Sequence, residues 1–474
     1  MSQKRMHRVD VVVVGAGGVS GAGVLRALCT ATNAKVVGLE QYGEPGMVNS
    51  HPLANAGTGH RGVEPNYPRE KIAAIYRKSG YLWRTVRAKQ NPLLAEKTHH
   101  MILGVGKAEC AILKERYKML LETFAALGAD IANDLEFLDR EGIQMLEPKV
   151  IEGRNENEEV CAILDNNGLV VDFQVLAREL LNDAKQANPD LDLRFNTQVD
   201  TVSFDGEKEL YRIETDEDVF LAKALIVTCG ADSLAFAQRL NAVDANDHSI
   251  LSIAGNFWSA PAMVNGKVYR YQAEGIPFSN PHADKVMSKV MSKQVGMSLG
   301  PTIIPVLFTE RNKWGTVPGF LWLWARSPVR GIRSLFKVLF EKGILGFAVE
   351  QFFDGLPIIG KKRLLGKFRK IIPTLREQDI TKRKGAGGIR PQLVNLVTGT
   401  LEMGNKIFKG FHSRFVTTPS PGASIAVAEG MEVAKEIIAE LGPDYFFDEV
   451  AFESAVDGVI ITASRRESHK ELVC

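Results

Sequence analysis

Val11-Val12-Val13-Val14-Gly15-Ala16-Gly17-Gly18-Val19-Ser20-Gly21 runs from an apolar strand through a glycine turn towards a helix. The four valines suit a strand buried on both faces of a parallel sheet, and Gly15 lets the chain turn sharply at its end. Gly17 has no side chain to block a pyrophosphate approaching the backbone N–H groups, so the helix N-terminus can receive negative charge. The third glycine of the G-x-G-x-x-G pattern falls on Ser20, with Gly21 beside it. Lys35-Val36-Val37-Gly38-Leu39-Glu40 offsets that departure. It reads as a second strand ending in an acid twenty residues after Ser20, where a ribose 2′-hydroxyl needs a carboxylate acceptor. An acid there disfavours a 2′-phosphate, and with it NADP.

A second loop lies at the other end of the chain, where Thr418-Pro419-Ser420-Pro421-Gly422-Ala423-Ser424 leads into another helix. Two such loops separated by almost the whole sequence suggest a flavin lying through the body of the fold, its pyrophosphate on the first helix and its ring near the second. Between them, His51–His60 is too rich in small residues to pack as a helix and suits backbone contact with a flat ligand. Residues 69–90, 108–128 and Asp172–Ala187 read as helices. Arg194–Phe204, Tyr211–Thr215 and Val219–Leu221 read as strands, and residues 222–232 as a buried strand ending at Gly230, back in the cofactor unit.

At 474 residues the chain exceeds what one core usually holds, so two domains are expected. Its 45% hydrophobic and 24% charged content are globular values; a net charge of +2 says nothing about partners by itself, and no nucleic acid partner is expected. Cys29, Cys110, Cys161, Cys229 and Cys474 are odd in number and scattered, which indicates no disulfide framework, metal site or iron–sulfur cluster. Lys4, Arg5 and Arg8 precede the nucleotide strand itself, so no cleavable signal is expected. No transmembrane helix is expected either.

Taken together, Asn55-Ala56-Gly57-Thr58-Gly59-His60, Gly300-Pro301-Thr302, Leu356-Pro357-Ile358-Ile359-Gly360, Arg390-Pro391-Gln392 and Ser420-Pro421-Gly422-Ala423-Ser424 resemble the FAD-dependent malate:quinone oxidoreductases. The likeness runs in the same order from about residue 9 to about residue 445 and is nearest to the shorter branch of that family. Many members have Pro-His-Leu-Asp-Thr-Arg where this chain has Pro281-His282-Ala283-Asp284-Lys285-Val286, so the arginine is absent.

The resemblance implies an α/β fold: a Rossmann-like FAD-binding domain of the glutathione-reductase/D-amino-acid-oxidase type with a discontinuous sheet-plus-helices substrate domain. The expected division assigns 1–90, 165–240 and 385–445 to FAD, 91–164 and 241–384 to substrate, and 446–474 to a C-terminal tail. It further implies oxidation of (S)-malate to oxaloacetate, with electrons passed to a membrane quinone. The FAD contacts expected are Gly15, Gly17, Ser20, Glu40, Asn55, Gly57, Thr58, Gly59, Gly230, Gly422, Ala423 and Ser424. A soluble FAD-dependent oxidase or dehydrogenase of another 2-hydroxy acid, such as 2-hydroxyglutarate, is the competing reading. A non-catalytic protein on a dinucleotide fold is a third, disfavoured by the ring-side motifs.

Oxidising a 2-hydroxy acid needs a base for the hydroxyl proton, and histidine suits neutral pH. His282 is the first candidate, with Asp284 or another carboxylate orienting it, and His60 is the second. The guanidinium of Arg390 can grip a substrate carboxylate with two parallel bonds. No dithiol, haem or cluster motif is present to carry electrons onward, so the acceptor must reach the flavin itself. Residues 313–370 hold twelve Lys or Arg against Glu341, Glu350 and Asp354, together with Trp314, Trp322 and Trp324. Such a segment suits an anchor on an anionic lipid surface, so the expected location is cytoplasmic and peripheral, on the inner face of the membrane.

Overall fold

In the computed structural model the valine run ends the strand Arg5–Val14, and its side chains alternate between two cores. Val11 and Val13 join one hydrophobic cluster; Val9, Val12 and Val14 join another on the opposite face. Burial on both faces is what an uninterrupted apolar run requires. Gly15 follows at φ +85, and a Cβ there would lie 2.9 Å from the Thr228 backbone. The structure describes residues 4–64, 67–271, 282–285, 296–326, 328–340, 346, 353, 359–402, 404–417 and 422–462. Pro281, Val286, Leu356–Ile358, Thr418–Pro421 and Cys474 of the motifs above lie outside them, as do Glu341, Lys342, Glu350 and Asp354.

Two sheets organise the described residues. In the eight-stranded sheet, Arg5–Val14 is flanked in parallel by Val36–Leu39 and Asp218–Val227, with Asp192–Arg194 and Ser413–Thr417 beyond them. The hairpin of Val199–Asp205 and Leu210–Thr215 packs antiparallel onto Asp218–Val227. The larger sheet has eleven strands, and its central order runs Ile389–Asn395, His248–Ala260, Met297–Pro305, His282–Lys285, Lys267–Arg270, Ala95–Val105, Val160–Val171, Thr58–Gly59. Ile389–Asn395, which the sequence division groups with residues 385–445, therefore pairs within this second sheet.

The helices Val19–Ala31 and Gly422–Glu440 cross at two glycines. A Cβ on Gly430 would lie 2.4 Å from the Gly23 carbonyl carbon, and one on Gly23 would lie 2.6 Å from Ala426 O. This close approach brings together two helix N-termini that are far apart in sequence. Asp172 caps the Phe173–Ala187 helix by accepting from Gln174 N and Val175 N at 2.9 and 3.1 Å. Helices Arg69–Lys89 and Lys107–Ala126 fall where periodicity placed them.

Three expectations require correction. Arg194–Phe204 is not one strand: pairing stops at Arg194, Asn196 turns at φ 52, and a new strand starts at Val199. The residues between bind the end of the second strand instead, Asn196 N donating to Tyr42 O and Thr197 N to Glu40 O. Conversely, Val219–Leu221 and the run after it form a single strand, Asp218–Val227, because the whole stretch pairs with Arg5–Val14. The segment expected as a tail contains the helix Glu449–Val456, whose Phe452 and Val456 enter the core.

The basic aromatic segment folds into helices Val317–Ala325, Pro328–Phe340 and Ile359–Arg369. Trp322 and Trp324 are partly buried against the fold: Trp324 donates to Ile250 O at 3.1 Å, and the guanidiniums of Arg239 and Arg326 lie 5.0 and 4.9 Å from the Trp322 ring centre. Trp314, in contrast, is 78% exposed. Helix Pro328–Phe340 is inverted relative to an ordinary surface helix. Gly331, Ser334 and Val338 face inward, while Val329, Ile332, Phe336 and Phe340 are exposed. No helix among the described residues is long and apolar enough to cross a membrane.

Candidate active site and cofactor cavity

A cavity of about 570 Å³ runs between the two sheets. Gly15, Gly17, Gly18 and Ser20 line one stretch of it, at the N-terminus of the Val19–Ala31 helix. Gly18 caps that helix without a side-chain bond and no acid occupies its first turn; the carboxylate beside this positive end comes from Glu40, at the end of the neighbouring strand. Glu40 reaches back to accept from Gly17 N at 2.8 Å and from Tyr42 N at 3.1 Å. Burial raises its pKa, and the Gly17 N–H works against that rise.

Asn55, Gly57 and Thr58 line the cavity further along, with Gly230, Gly422, Ala423 and Ser424. Ser424 ties the two ends of the chain together: its Oγ donates to Thr58 O at 3.2 Å and accepts from His60 N at 2.9 Å. Gly59 is not part of the lining. It faces Trp83 and Leu169, where a Cβ would meet their atoms at 3.0 and 3.1 Å.

The chemistry-bearing side chains come from the larger sheet, and its register explains their meeting. Lys267 pairs across the sheet with Asp284 on one side and His100 on the other; Tyr269 pairs with His282 and Ile102. Residues two apart share a face, so these two rows project together towards the cavity side of the sheet. His282 Nε2 lies 3.1 Å from Asp284 Oδ2, and Lys267 Nζ donates to the same oxygen at 3.0 Å. His282 lines the cavity and Asp284 stands behind it. Burial pushes the Asp284 carboxyl up, but His282 and Lys267 outweigh it and hold the group below its ordinary range. Burial also lowers Lys267, against the pull of Asp284.

His60 makes a second such pair, through Nδ1 to Glu64 Oε1, and both residues line the cavity. Arg390 projects from the strand Ile389–Asn395, with Tyr67 and Tyr269 as its electrostatic neighbours. Burial lowers its pKa and the two phenols counter that shift. The cavity thus combines an anion-receiving helix end, two histidine–carboxylate pairs and a guanidinium flanked by phenols.

The family described as Malate:quinone oxidoreductase (Mqo) matches residues 7–444. The chain belongs to the malate:quinone oxidoreductase family. It is 30% identical to the malate:quinone oxidoreductase of Helicobacter pylori strain J99, over 92% of this chain and 95% of that one. It is 29% identical to a probable malate:quinone oxidoreductase of Campylobacter jejuni, over 96% of this chain and 100% of that one. Among solved structures the fold is similar to FAD-bound L-α-glycerophosphate oxidase from Mycoplasma pneumoniae, with TM-score 0.65 at 16% identity, covering 94% and 96% of the two chains. Glycine oxidase from Geobacillus kaustophilus gives TM-score 0.59 at 16% identity, covering 94% and 98%. The fold is that of the mixed α/β flavin-dependent oxidases.

Membership covers both glycine loops, both histidines and Arg390. The sequence reading passed over Lys267, Glu64, Tyr67, Tyr269 and His100. For Glu64 a signal existed, an acid four residues after His60. Lys267 carried none, because a lysine within a short strand ordinarily points to solvent.

Proposed function

We propose that this chain binds FAD and oxidises (S)-malate to oxaloacetate, with a membrane quinone as final electron acceptor. The observation that carries this reading is the convergence of Arg390 and His282 on a cavity that both glycine loops also line. The donor set suits the cofactor: the glycine backbone and helix N-terminus at Gly15, Gly17 and Gly18 for a pyrophosphate, and Glu40, which accepts from Gly17 N, for a ribose hydroxyl. When bound, FAD supplies an acceptor for the C2 hydride and its electron pair. Arg390 anchors a carboxylate of the substrate through two parallel N–H···O bonds. His282 takes the hydroxyl proton as the C–O bond becomes a carbonyl, and Asp284 stabilises the imidazolium that results. The His60–Glu64 pair is the alternative base.

The lipid surface belongs to the same proposal. Ile332, Phe336 and Phe340 follow one another at four-residue spacing and are 59%, 57% and 70% exposed, with Arg330, Arg333 and Lys337 alongside. An exposed apolar stripe rimmed by cations suits peripheral docking on the anionic inner face of a membrane, where the enzyme meets its quinone. Cys29, Cys110, Cys161 and Cys229 are free thiols, in keeping with a cytoplasmic setting.

The test is to identify the chromophore released by acid from purified protein, then to follow reduction of a soluble quinone by malate. Released FAD and malate-dependent quinone reduction are expected. Bound NAD without flavin, or quinone reduction driven by 2-hydroxyglutarate and not by malate, defeats the reading.

A further inference from the structure

Lys267 is a lysine with 0% exposure, buried in the sheet between His100 and Asp284. Ionised lysine is rarely found there unless it is paired. Its Nζ has two oxygen partners, Asp284 Oδ2 and the Ala56 carbonyl, each at 3.0 Å. Asp284 Oδ2 is in turn 3.1 Å from His282 Nε2, so a single carboxylate oxygen is shared between the ammonium and the imidazole. Ala56 belongs to the glycine-rich loop lining the cofactor cavity.

We propose that Lys267 is a positioning residue: it fixes the charge state of the His282–Asp284 pair and anchors that pair to the loop carrying Ala56. The inference rests on His282 being the base. The charged and titratable groups around the pair are Lys267, Tyr269 and His100, with His60, His99, Glu64, Tyr67 and Arg390 as their further neighbours. Lys267 is the one among them whose ammonium directly bonds the carboxylate. A nearby positive charge helps the pair release its proton, because the deprotonated pair is the more negative state. Removing the ammonium makes the pair hold its proton to higher pH. The sign is the same whichever partner carries that proton.

The experiment follows anaerobic flavin reduction by saturating malate in the holoenzyme across pH, in Lys267→Met, Lys267→Arg, Asp284→Asn and the Lys267→Met/Asp284→Asn double variant. Lys267→Met moves the low-pH limb of the rate upward by about one unit, a roughly tenfold slower reduction at a fixed pH on that limb. Lys267→Arg, which keeps the charge, returns the limb towards wild type. Should Lys267→Met fold poorly because Asp284 is left unpaired, the double variant removes both charges together. Acting through Asp284, Lys267 leaves that double variant with the rate and pH dependence of Asp284→Asn alone. An unshifted limb in Lys267→Met, or a double variant at least about tenfold slower than Asp284→Asn, overturns the inference. Failure of the base reading looks different: His282→Asn then reduces its flavin at the wild-type rate, which removes both claims. Failure of the inference alone leaves His282→Asn slow and the Lys267→Met limb in place.

Discussion

Arg390 and His282 line one cavity from two strands of the same sheet, and their chemistry separates their effects. Arg390 holds a carboxylate in the ground state and the transition state alike, so Arg390→Ala raises the KM for malate far more than it lowers kcat. His282 acts on a proton in flight, so His282→Asn slows flavin reduction at saturating malate by about 100- to 10,000-fold. Rapid-mixing kinetics over a range of malate concentrations separates the two. A His282→Asn enzyme reduced at the wild-type rate would transfer the base role to His60, whose partner Glu64 is already in place. At this scale the sequence was legible where a residue type is tied to a motif: Gly15, Gly17 and Glu40, singled out by the glycine-loop pattern, line one cavity. It was not legible for Lys267. Neighbours on its own strand give no hint that Asp284, seventeen residues on, and the Ala56 carbonyl converge on its ammonium.

Two helices carry the glycine loops, and the Gly23–Gly430 crossing sets how closely their backbones approach. A side chain at Gly430 meets backbone atoms of Gly23 and Val24 at 2.4 to 2.7 Å, so relief requires one helix to move. Gly430→Val is expected to destabilise by about 1–3 kcal/mol or more and to lower FAD retention, since both helix ends line the cavity. Gly80 is the matched control, an exposed helical glycine where an added Cβ would meet nothing within 4 Å. Gly80→Ala should be neutral or raise stability by roughly 0.5–1 kcal/mol. Thermal melts with and without added FAD check both, and equal behaviour of the two variants would show that the crossing does not hold the cofactor helices in register. Periodicity found the long helices, and the valine run found the central strand. It failed at Arg194–Phe204, where Thr197 and Asn196 leave the sheet to bind the Glu40–Tyr42 backbone, a tertiary demand that local alternation does not encode.

Across the whole molecule, the cofactor unit and the chemistry are interleaved along the chain, and strand order rather than sequence order joins them. His282 and Arg390 line one cavity although Met297–Pro305 and His248–Ala260 lie between their strands in the sheet, an arrangement that no motif announces. The basic aromatic segment was legible as a surface feature, but its composition did not separate inward-facing Trp322 and Trp324 from the exposed stripe on Pro328–Phe340. That stripe yields a prediction for the assembly of enzyme and membrane. Replacing Ile332 and Phe336 with Asp should release the enzyme from anionic liposomes and lower turnover with a lipid-soluble quinone, while a water-soluble dye acceptor supports nearly unchanged rates. Equal loss with both acceptors would assign the helix to the fold instead. The central claim is that malate reduces a flavin held in this cavity, and anaerobic addition of (S)-malate to the purified holoenzyme tests it most directly. Rapid loss of oxidised-flavin absorbance with malate, and much slower loss with 2-hydroxyglutarate or lactate, is the predicted result; a flavin that stays oxidised with malate while another 2-hydroxy acid bleaches it would contradict the account.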